Sequence, residues 1–562
     1  MPTLQFKGKN IIWNHHLSVP YHSLEEIEDL SFEKKDANNK HLIVEGDNLL
    51  ALKALLPKYA GRVKCIYIDP PYNTGKEEWV YSDKVNSPLV QDWLNKTVNK
   101  EDLTKHDKWL CMMVPRLKLL KELLRKDGVI FISLDNNEAF NFKQVADEIF
   151  GEENFLGVVV LQTATDNNPT QIATEHEYIF SYAADKEFQE TWTAISEGAE
   201  KIQEKYTELK SEHKDDLEKI QKKLRVWIKE NTESLDKVTH YDNVDAKGVF
   251  HDGDVANTKF GGYEYEVLHP VTKKPCKIPE KGFRFPETTM KDLIKEDNIM
   301  FGDDETTLIK PKKRLETVTA RLRSIIYEDG RAATKELETL FHKDFFKNPK
   351  SPKILKKLFE YSTEENDIIL DSFAGSGTTG QSVMELNRQD GGNRQFVLVQ
   401  MTEASEQEPD KNICKDKTRE RIKKVIEAYD FKDGFKYLRV GSPIDPETML
   451  DGDLPTYQQF AEYVYYLATG GHLADKSKVD ASKHFVGMDG GQAVYLIYEQ
   501  DMDKLTRLAL TLQIAESIVK HSPGKRRVVF APSCFLDEEY MTAMQIEFVS
   551  VPYNLFERKN NG

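Results

Sequence analysis

Short apolar runs alternate with stretches of helical period in the first part of the chain. The runs 41–44, 63–68 and 129–134 have the apolar, largely β-branched or aromatic composition of buried strands. The first run leads into a segment with apolar residues on one helical face, Leu49, Leu52 and Leu56. Strands that alternate with helices predict an α/β fold with a parallel sheet covered on both faces.

A stronger helical stripe precedes the third of these runs. Apolar residues recur there at spacings of three and four, namely Leu110, Met113, Leu117, Leu120 and Leu124. The basic, glycine-containing turn at 126–128 predicts the end of this helix.

The pattern changes in the middle of the chain. Residues 187–238 combine helical period with dense Glu and Lys, which predicts a long exposed helix or a helical hairpin. Residues 241–310 are richer in Gly, Pro, Tyr and Asp and predict short strands and loops. The α/β pattern returns near 350, with predicted strands at 367–370 and 395–399.

One sheet interrupted by an insertion is therefore predicted. We expect a Rossmann-like sheet formed by the first segment, residues 1–184, and a second segment, residues 346–435. Residues 185–345 would be the insertion, and residues 436–562 a C-terminal α/β or α+β domain.

Composition places the chain among large globular proteins. It has 562 residues, of which 39% are hydrophobic and 31% charged, which is enough for a sizeable core. No apolar run approaches the ~18 residues of a membrane span, and the first residues do not resemble a secretory signal. The five cysteines show no metal or disulfide spacing. We expect a cytoplasmic protein without a metal.

The net charge of −16 argues against general binding of polyanions, yet basic residues are concentrated in one place. Between 310 and 323 the only acid is Glu316. The segment is either a solvated helix face or a strip that contacts phosphates. Its basic residues are Lys310, Lys312, Lys313, Arg314, Arg321 and Arg323.

A proline-rich corner follows the predicted strand 63–68. It reads Asp69-Pro70-Pro71-Tyr72 and stands where ligands bind in open α/β sheets. The prolines remove two N–H donors and stiffen the turn, so that carbonyl oxygens and the Asp69 carboxylate can face outward as acceptors. Acceptors beside the Tyr72 ring suit an amino group on a flat heterocycle. The structural alternative is a stiff turn with a capping aspartate.

A glycine-rich turn follows the predicted strand 367–370. The segment Phe373-Ala-Gly375-Ser-Gly377 allows close approach of a ligand at a helix N-terminus. A phosphate-binding loop is disfavoured because Gln381 replaces the required lysine. A dinucleotide fits less well because no acidic residue closes the next strand. Asp371 could accept from an ammonium group, which favours a ligand with an amino-acid part and a nucleoside.

The two motifs together resemble those of amino DNA methyltransferases, which use S-adenosylmethionine. Their order, with the Asp-Pro-Pro-Tyr motif upstream of the glycine turn, resembles the β-type permutation, in which the target-recognition domain lies between them. The run 68–75, preceded by Glu45-Gly-Asp47-Asn-Leu49, is similar to modification subunits of type III restriction–modification systems.

This resemblance implies roles for the target site and the glycine turn. Asp69 and the carbonyl of Pro70 would bind the target amine, beside Pro71, and Tyr72 would stack on the extruded base. In the cofactor motif the implied contacts are Asp371 with the methionine ammonium, Phe373 with the adenine, and Gly375, Gly377 and Thr378 beneath the cofactor.

The remaining cofactor contacts come from other segments. Asp47 would approach the adenosine, or else cap a helix. Lys350 or Ser351 would contact the methionine carboxylate. Gln400 stands where an acidic residue often binds the ribose, with Glu403 three residues on. No catalytic role is assigned to the run 176–182, in which His176-Glu-Tyr precedes an apolar stretch.

The resemblance implies methylation of the N6 amine of a flipped adenine in double-stranded DNA, by direct transfer without a covalent intermediate. Methylation of cytosine N4 and a non-catalytic specificity subunit remain alternatives. The upstream position of the Asp-Pro-Pro-Tyr motif disfavours a protein or RNA methyltransferase. The implied partners are a second copy of the chain and a separate ATP-dependent restriction subunit, for which the C-terminal domain is the candidate docking site.

Overall fold

The computed structural model describes residues 3–34, 38–74, 104–162, 171–214, 216–343, 345–404, 408–445, 448–449 and 453–551. Gly75, the last residue of the motif run, lies outside this part of the chain. The chain divides into two compact units, one formed by Met1–Glu190 with Arg323–Gly562 and the other by Thr191–Leu322. No helix in the described part has the length and apolar character needed to cross a membrane.

A ten-stranded sheet organises the first unit. Its strands, in spatial order, are β1 (Tyr21–Glu26), β16 (Asp433–Ile444), β2 (Asn38–Glu45), β15 (Gln395–Gln400), β14 (Ile368–Asp371), β3 (Val63–Ile68), β4 (Leu124–Leu134), β6 (His176–Ala183), β5 (Phe155–Gln162) and β13 (Ile325–Tyr327). Two strands depart from the expected parallel pairing: β6 runs antiparallel to both β4 and β5, and β1 runs antiparallel to β16. The remaining central pairs are parallel, so this is a Rossmann-like α/β sheet.

Helices connect these strands and share a buried core with them. Those of the first unit are α1 (Lys9–Ile12), α2 (His15–Ser18), α3 (Asn48–Tyr59), α4 (Lys105–Leu123), α5 (Ala139–Phe150), α9 (Gly330–Leu340), α10 (Pro352–Ser362), α11 (Thr378–Asp390), α12 (Glu420–Ala428), α13 (Tyr457–Thr469), α14 (Met502–Leu505), α15 (Leu512–His521) and α16 (Glu538–Ala543). The predicted strand 63–68 is confirmed, and its apolar side chains are fully buried.

Two segments far apart in sequence meet at the centre of the sheet. Strand β14 pairs in parallel with β3, with Leu370 opposite Ile66. The chain leaves β14 towards β15 on one side and leaves β3 towards β4 on the other. Such a reversal of direction is the topological switch point at which open α/β sheets bind ligands. The carboxyl ends of β3 and β14 therefore bring Asp69 and Asp371 to the same edge.

The predicted end of the long helix is wrong. Helix α4 ends before 126–128, and β4 begins immediately afterwards, at Leu124. Leu124 pairs with Val63 of β3, and Lys64 donates to the Asp127 carboxylate at 2.9 Å. The basic turn is therefore the first part of a strand, because pairing with β3 outweighs the local glycine signal.

The expected domain limits also change. The boundary at 435/436 falls inside β16, a strand of the main sheet. Beyond it, Phe460, Tyr463 and Val494 belong to the same buried core as Leu52. The C-terminal residues carry a four-stranded sheet of their own, with strands β17 (Phe485–Asp489), β18 (Gln492–Leu496), β19 (Arg526–Ala531) and β20 (Ile546–Ser550). They nevertheless form part of the first compact unit.

The inserted unit is shorter than the expected 185–345, because β13 and α9 belong to the first unit. The predicted helical hairpin is confirmed as α6 (Glu197–His213) and α7 (Leu217–Glu230), which bury their apolar faces. One further helix, α8 (Glu287–Lys295), follows. The short strands are β7 (Thr193–Ile195), β8 (Asn243–Asp245), β9 (Gly248–Asp252), β10 (Ile299–Met300), β11 (Lys310–Arg314) and β12 (Thr319–Arg321).

Candidate active site

The proline corner directly follows β3 and is fixed by a buried tryptophan. Trp109 on α4 is fully buried, and its Nε1 donates to the carbonyl of Pro71 at 2.7 Å. This carbonyl therefore does not face outward as the sequence suggested. The prolines cannot donate, so an anchor on the acceptor side is the means by which the protein can hold this turn. The anchored turn holds the half-buried Asp69 and Tyr72.

Four polar side chains meet beside this corner. The Tyr72 hydroxyl lies 2.7 Å from Oδ1 of Asp69 and 2.8 Å from Oε2 of Glu177 on β6. Lys350 Nζ donates to the Tyr72 oxygen and to Glu177 Oε2, both at 2.6 Å, and lies 3.3 Å from Asp69 Oδ1. We call Asp69, Tyr72, Glu177 and Lys350 the acidic cluster.

Burial and charge act against each other in the acidic cluster. Burial raises the pKa of Asp69, and the Glu177 charge adds to this rise, whereas the Lys350 ammonium opposes it. Burial alone would lower the pKa of Lys350, but the two carboxylates outweigh it and raise that pKa. Burial and the same carboxylates raise the pKa of Tyr72, so its hydroxyl keeps its proton. The cluster thus holds two acids and one cation.

Lys350, for which the resemblance implies a contact with the cofactor, lies beside the proline corner. Its three contacts are to Tyr72, Glu177 and Asp69, and its contact with the cofactor stays a prediction. The neighbouring Ser351 hydroxyl donates to Glu328 at 3.0 Å. Sequence reasoning missed Glu177, because only the pairing of β4 with β6 shows which strand end faces the corner.

The glycine turn surrounds a second buried aspartate. Asp371, at the end of β14, is 2% exposed. It accepts from the backbone N–H of Phe373 at 2.9 Å and from the Thr379 hydroxyl at 2.5 Å. Burial raises the pKa of this carboxyl to about 7, and the Asp69 charge contributes to the rise. No lysine or arginine among the described residues pairs with it, so a cationic ligand would find an uncompensated acid here.

Both glycines of the turn adopt positive φ angles. The φ angle is +53° at Gly375 and +84° at Gly377, which precedes the first residue of α11. Residues other than glycine rarely adopt this backbone conformation, and a Cβ at Gly377 would lie 3.2 Å from the Thr418 carbonyl oxygen. The N–H of Gly375 donates to Oε1 of Gln400 at 2.8 Å. Gln400 therefore supports the turn, and its amide nitrogen lies 3.2 Å from Glu403.

A buried arginine supports the same turn from α12. Arg421 is 1% exposed and donates to the hydroxyls of Ser376 and Thr378 at 2.6 and 2.7 Å. It also donates to the side-chain carbonyl of Gln381 at 3.0 Å. Thr378, a predicted cofactor residue, thus has a structural partner. No sequence motif indicates Arg421, because it acts from a helix one strand further along the chain.

Two predicted cofactor residues also have structural roles. Asp47 accepts from the backbone of Leu49 at 2.8 Å and so caps α3, while Arg116 approaches its carboxylate at 3.3 Å. Its side chain is still 34% exposed and available for a ligand. Phe373 is 6% exposed and packs in the main core.

Three of the six basic residues of the predicted DNA-binding strip form ion pairs within the inserted unit. Arg314 is 7% exposed and forms a two-pronged ion pair with Asp245 at 2.6 and 2.9 Å. Lys312 contacts the same carboxylate at 2.8 Å, and Lys310 contacts Asp252 at 2.5 Å. Burial would raise the pKa of Asp245, but the bonds from Arg314 and Lys312 bring it down to about 2. These three cations hold strands together.

The other three basic residues of the segment are exposed. Lys313 lies on β11 and Arg321 on β12, both in the inserted unit. Arg323 begins the second segment of the first unit. Within β11, Lys313 points to the face opposite Lys312 and Arg314, because successive side chains of a strand point to opposite faces.

Comparison with known proteins matches this chain to DNA methylases. A family model described as DNA methylase matches residues 63–427, which include both motifs. The chain is 39% identical over 411 residues to the type III restriction-modification enzyme EcoP15I Mod subunit of Escherichia coli, covering 69% of this chain and 64% of that protein. It is 30% identical over 473 residues to the StyLTI Mod subunit of Salmonella typhimurium, covering 78% and 65%.

A type II enzyme is also similar. The chain is 25% identical over 400 residues to the type II methyltransferase M.KpnI of Klebsiella pneumoniae, covering 67% of this chain and 84% of that protein. The matched part spans less than two thirds of each of the two Mod subunits. The family model, in contrast, covers more than half of this chain. The chain therefore belongs to the N6/N4 DNA methylase family.

Proposed function

We propose that this chain transfers a methyl group from S-adenosylmethionine to the N6 amine of an adenine extruded from double-stranded DNA. The observation that carries the proposal is the shared sheet edge, where Asp69 follows β3 and Asp371 ends the neighbouring β14. An acceptor for an amine and an acid for an ammonium group are thus held at one topological switch point.

The glycine turn fits this cofactor. Gly375 and Gly377 leave room for close approach, and the buried Asp371 carboxylate suits an ammonium group. The Ser372 hydroxyl is 1% exposed and has no hydrogen-bond partner among the described residues, as expected of a group that awaits a ligand. When bound, S-adenosylmethionine supplies an electrophilic methyl group on its sulfonium sulfur.

The protein's own part in the reaction is to bind and orient the base. A base within a duplex cannot reach the site, so the adenine must be extruded, and the Tyr72 ring offers a face on which it stacks. The Asp69 carboxylate and the Pro70 carbonyl accept from the N6 amine and align its nitrogen for attack. The same acceptors stabilise the positive charge that develops on this nitrogen. The nitrogen–methyl bond would form as the carbon–sulfur bond of the sulfonium breaks, so that sulfur leaves as a neutral thioether and the amine loses one proton to solvent. This transfer needs neither a metal nor a covalent intermediate.

The partners follow from the similarity to Mod subunits. We propose that the chain is the modification and recognition subunit of a type III restriction–modification system in the cytoplasm. It would act on double-stranded DNA as a homodimer, beside a separate ATP-dependent restriction subunit. In the sequence, the inserted unit lies between the two motifs, and it is the candidate domain for recognition of the DNA sequence.

Transfer of a labelled methyl group tests this function. The purified chain is incubated with methyl-labelled S-adenosylmethionine and unmethylated genomic DNA, which is then digested to nucleosides. We expect labelled N6-methyladenine with the wild type and none with Asp69→Ala. Labelled N4-methylcytosine would show that the target base is cytosine and not adenine. Uptake of label by neither base would contradict the proposed activity.

A further inference from the structure

Two residues without a role in the proposed reaction contact the catalytic corner. Glu177 and Lys350 lie in the acidic cluster, with side chains 15% and 18% exposed. Buried charges are costly, so a protein retains such a pair where the charge has a use or its partners compensate it fully. Here Lys350 is shared between Glu177 and the predicted catalytic acid, Asp69.

The contacts reach Asp69 from one side. Tyr72 and Lys350 both approach Oδ1 of its carboxylate. The second oxygen, Oδ2, receives no hydrogen bond from another described residue, and the side chain is 28% exposed. One oxygen is therefore fixed by the protein, and the other faces away from these contacts. A carboxylate held in this way presents a single oriented acceptor.

Glu177 orients the two groups that fix Oδ1. Its Oε2 accepts from Lys350 at 2.6 Å and from the Tyr72 hydroxyl at 2.8 Å. Without this oxygen, the lysine stem could rotate away from Asp69 and the tyrosine ring would lose its anchor to β6. Glu177 is an anchor for the cation, and the cation is the counter-charge for Asp69.

We propose that Glu177 and Lys350 are positioning residues for methyl transfer: together they fix Oδ1 of Asp69, Lys350 supplies the counter-charge that favours the ionised carboxylate, and Oδ2 is left to accept the target amine. The inference rests on the proposed function, because it assigns the amine to Asp69. It differs from the cofactor role that the sequence suggested for Lys350.

In this arrangement the ionisation of Asp69 depends on the charges of Lys350 and Glu177. Asp69 faces Tyr72 of its own turn, Lys350 from the segment before α10 and Glu177 from β6. It also faces Tyr67 on β3 and Asp371 on β14. Of these charges, Lys350 lowers the pKa of Asp69 and Glu177 raises it. Removing each charge separately should therefore shift the ionisation of Asp69 in opposite directions.

The test measures the pH dependence of kcat/KM for DNA at saturating S-adenosylmethionine, so that titration of Asp371 in the free enzyme does not contribute. Lys350→Met should move the acid limb to higher pH by about one unit or more, as expected for loss of an opposite charge at this range. Glu177→Gln keeps an acceptor for Lys350 and should move the limb to lower pH. The double variant should lie between the two.

Three controls accompany these variants. Lys353→Met removes the same charge from an exposed position of α10 and should leave the profile unchanged. Lys350→Arg keeps the charge and should restore the wild-type limb. The dissociation constant for S-adenosylmethionine should not change in Lys350→Met. If Lys350 contacted the methionine carboxylate, its removal would raise this constant about tenfold or more.

A second readout does not depend on activity. Carboxyl ¹³C labelling of aspartate, with Asp69→Asn for assignment, gives the titration of Asp69 directly in each folded variant. The same order is expected: Lys350→Met above wild type and Glu177→Gln below. Shifts in one common direction, or a wild-type titration in Lys350→Met, would overturn the inference. Ordered titrations without any methylation of DNA would instead contradict the proposed function alone.

Discussion

Asp371→Asn should stabilise the protein while it weakens cofactor binding. The carboxyl is 2% exposed, and burial raises its pKa from 3.8 to about 7. The folded protein therefore holds this proton to a higher pH than the unfolded chain does. The stability that the protonated acid contributes is present below about pH 4 and is lost as the pH rises to about 7.

The size of this effect follows from the shift. About three pKa units at about 1.4 kcal/mol each give roughly 4 kcal/mol of lost stability above pH 7. Asparagine has no such titration. Its Oδ1 can still accept from the N–H of Phe373, and its Nδ2 can donate to the Thr379 hydroxyl, which then accepts. We expect the free energy of unfolding of Asp371→Asn to exceed that of the wild type at about pH 8 by a few kcal/mol, and the difference to vanish near about pH 4.

Binding should change in the opposite direction. An ammonium group that loses a charged acceptor forfeits about 1.5–3 kcal/mol, so the dissociation constant for S-adenosylmethionine should rise roughly 10- to 100-fold. In the wild type, affinity should fall below pH 7 as Asp371 takes up a proton. Denaturant titration measures the stability, and calorimetry measures the binding.

A matched control lies immediately before the same strand. Asp367 is 6% exposed and pairs with Arg125 at 3.0 Å, so Asp367→Asn should destabilise the protein and leave cofactor affinity unchanged. An Asp371→Asn variant that is less stable than the wild type at pH 8, with unaltered affinity, would refute the reasoning.

Three further outcomes are expected. Asp69→Ala should abolish methyl transfer with nearly unchanged cofactor affinity; a large loss of affinity would mean that the two sites are misassigned. Gly377→Ala should weaken cofactor binding and lower stability by about 1–2 kcal/mol, because Ala must adopt φ +84°; wild-type melting would contradict this. Charge reversal at Lys313 and Arg321 should flatten the salt dependence of DNA binding, measured by electrophoretic mobility shift. Arg314→Met should instead lower the thermal midpoint of unfolding, because it removes an ion-pair partner of Asp245.

Local patterns were sufficient for the strands that carry the site. The run Val63–Ile68 is apolar except at Lys64, because β3 is central and both of its faces are covered, and the helical stripe of α4 is strongly periodic. The end of α4 was not predictable in this way. Its glycine signal was local, whereas the pairing of Leu124 with Val63 depends on a strand elsewhere in the chain.

The residues of the site also divide into those that local motifs predict and those that depend on distant pairing. The contiguous motifs at 69–72 and 371–380 are visible because several constrained residues stand together. Glu177, Lys350 and Arg421 act singly, each from a different element, and their relevance depends on the order of strands in the sheet. The ion pairs of the basic segment 310–323 were not predictable for a related reason, since their acidic residues, Asp245 and Asp252, lie far upstream in the sequence.

The two aspartates at the switch point differ in a way that matches their proposed ligands. Asp69 has Lys350 as a counter-charge, so its carboxylate can remain ionised while it accepts from a neutral amine. Asp371 is bonded only to a hydroxyl and a backbone N–H within the described part of the chain, and burial without a counter-charge raises its pKa to about 7. A carboxylate of the second kind gains most from a ligand that is itself a cation. The neutral target at Asp69 and the ammonium group at Asp371 are therefore the assignment that this electrostatic asymmetry favours, and exchanging the two ligands would leave the buried acid without compensation.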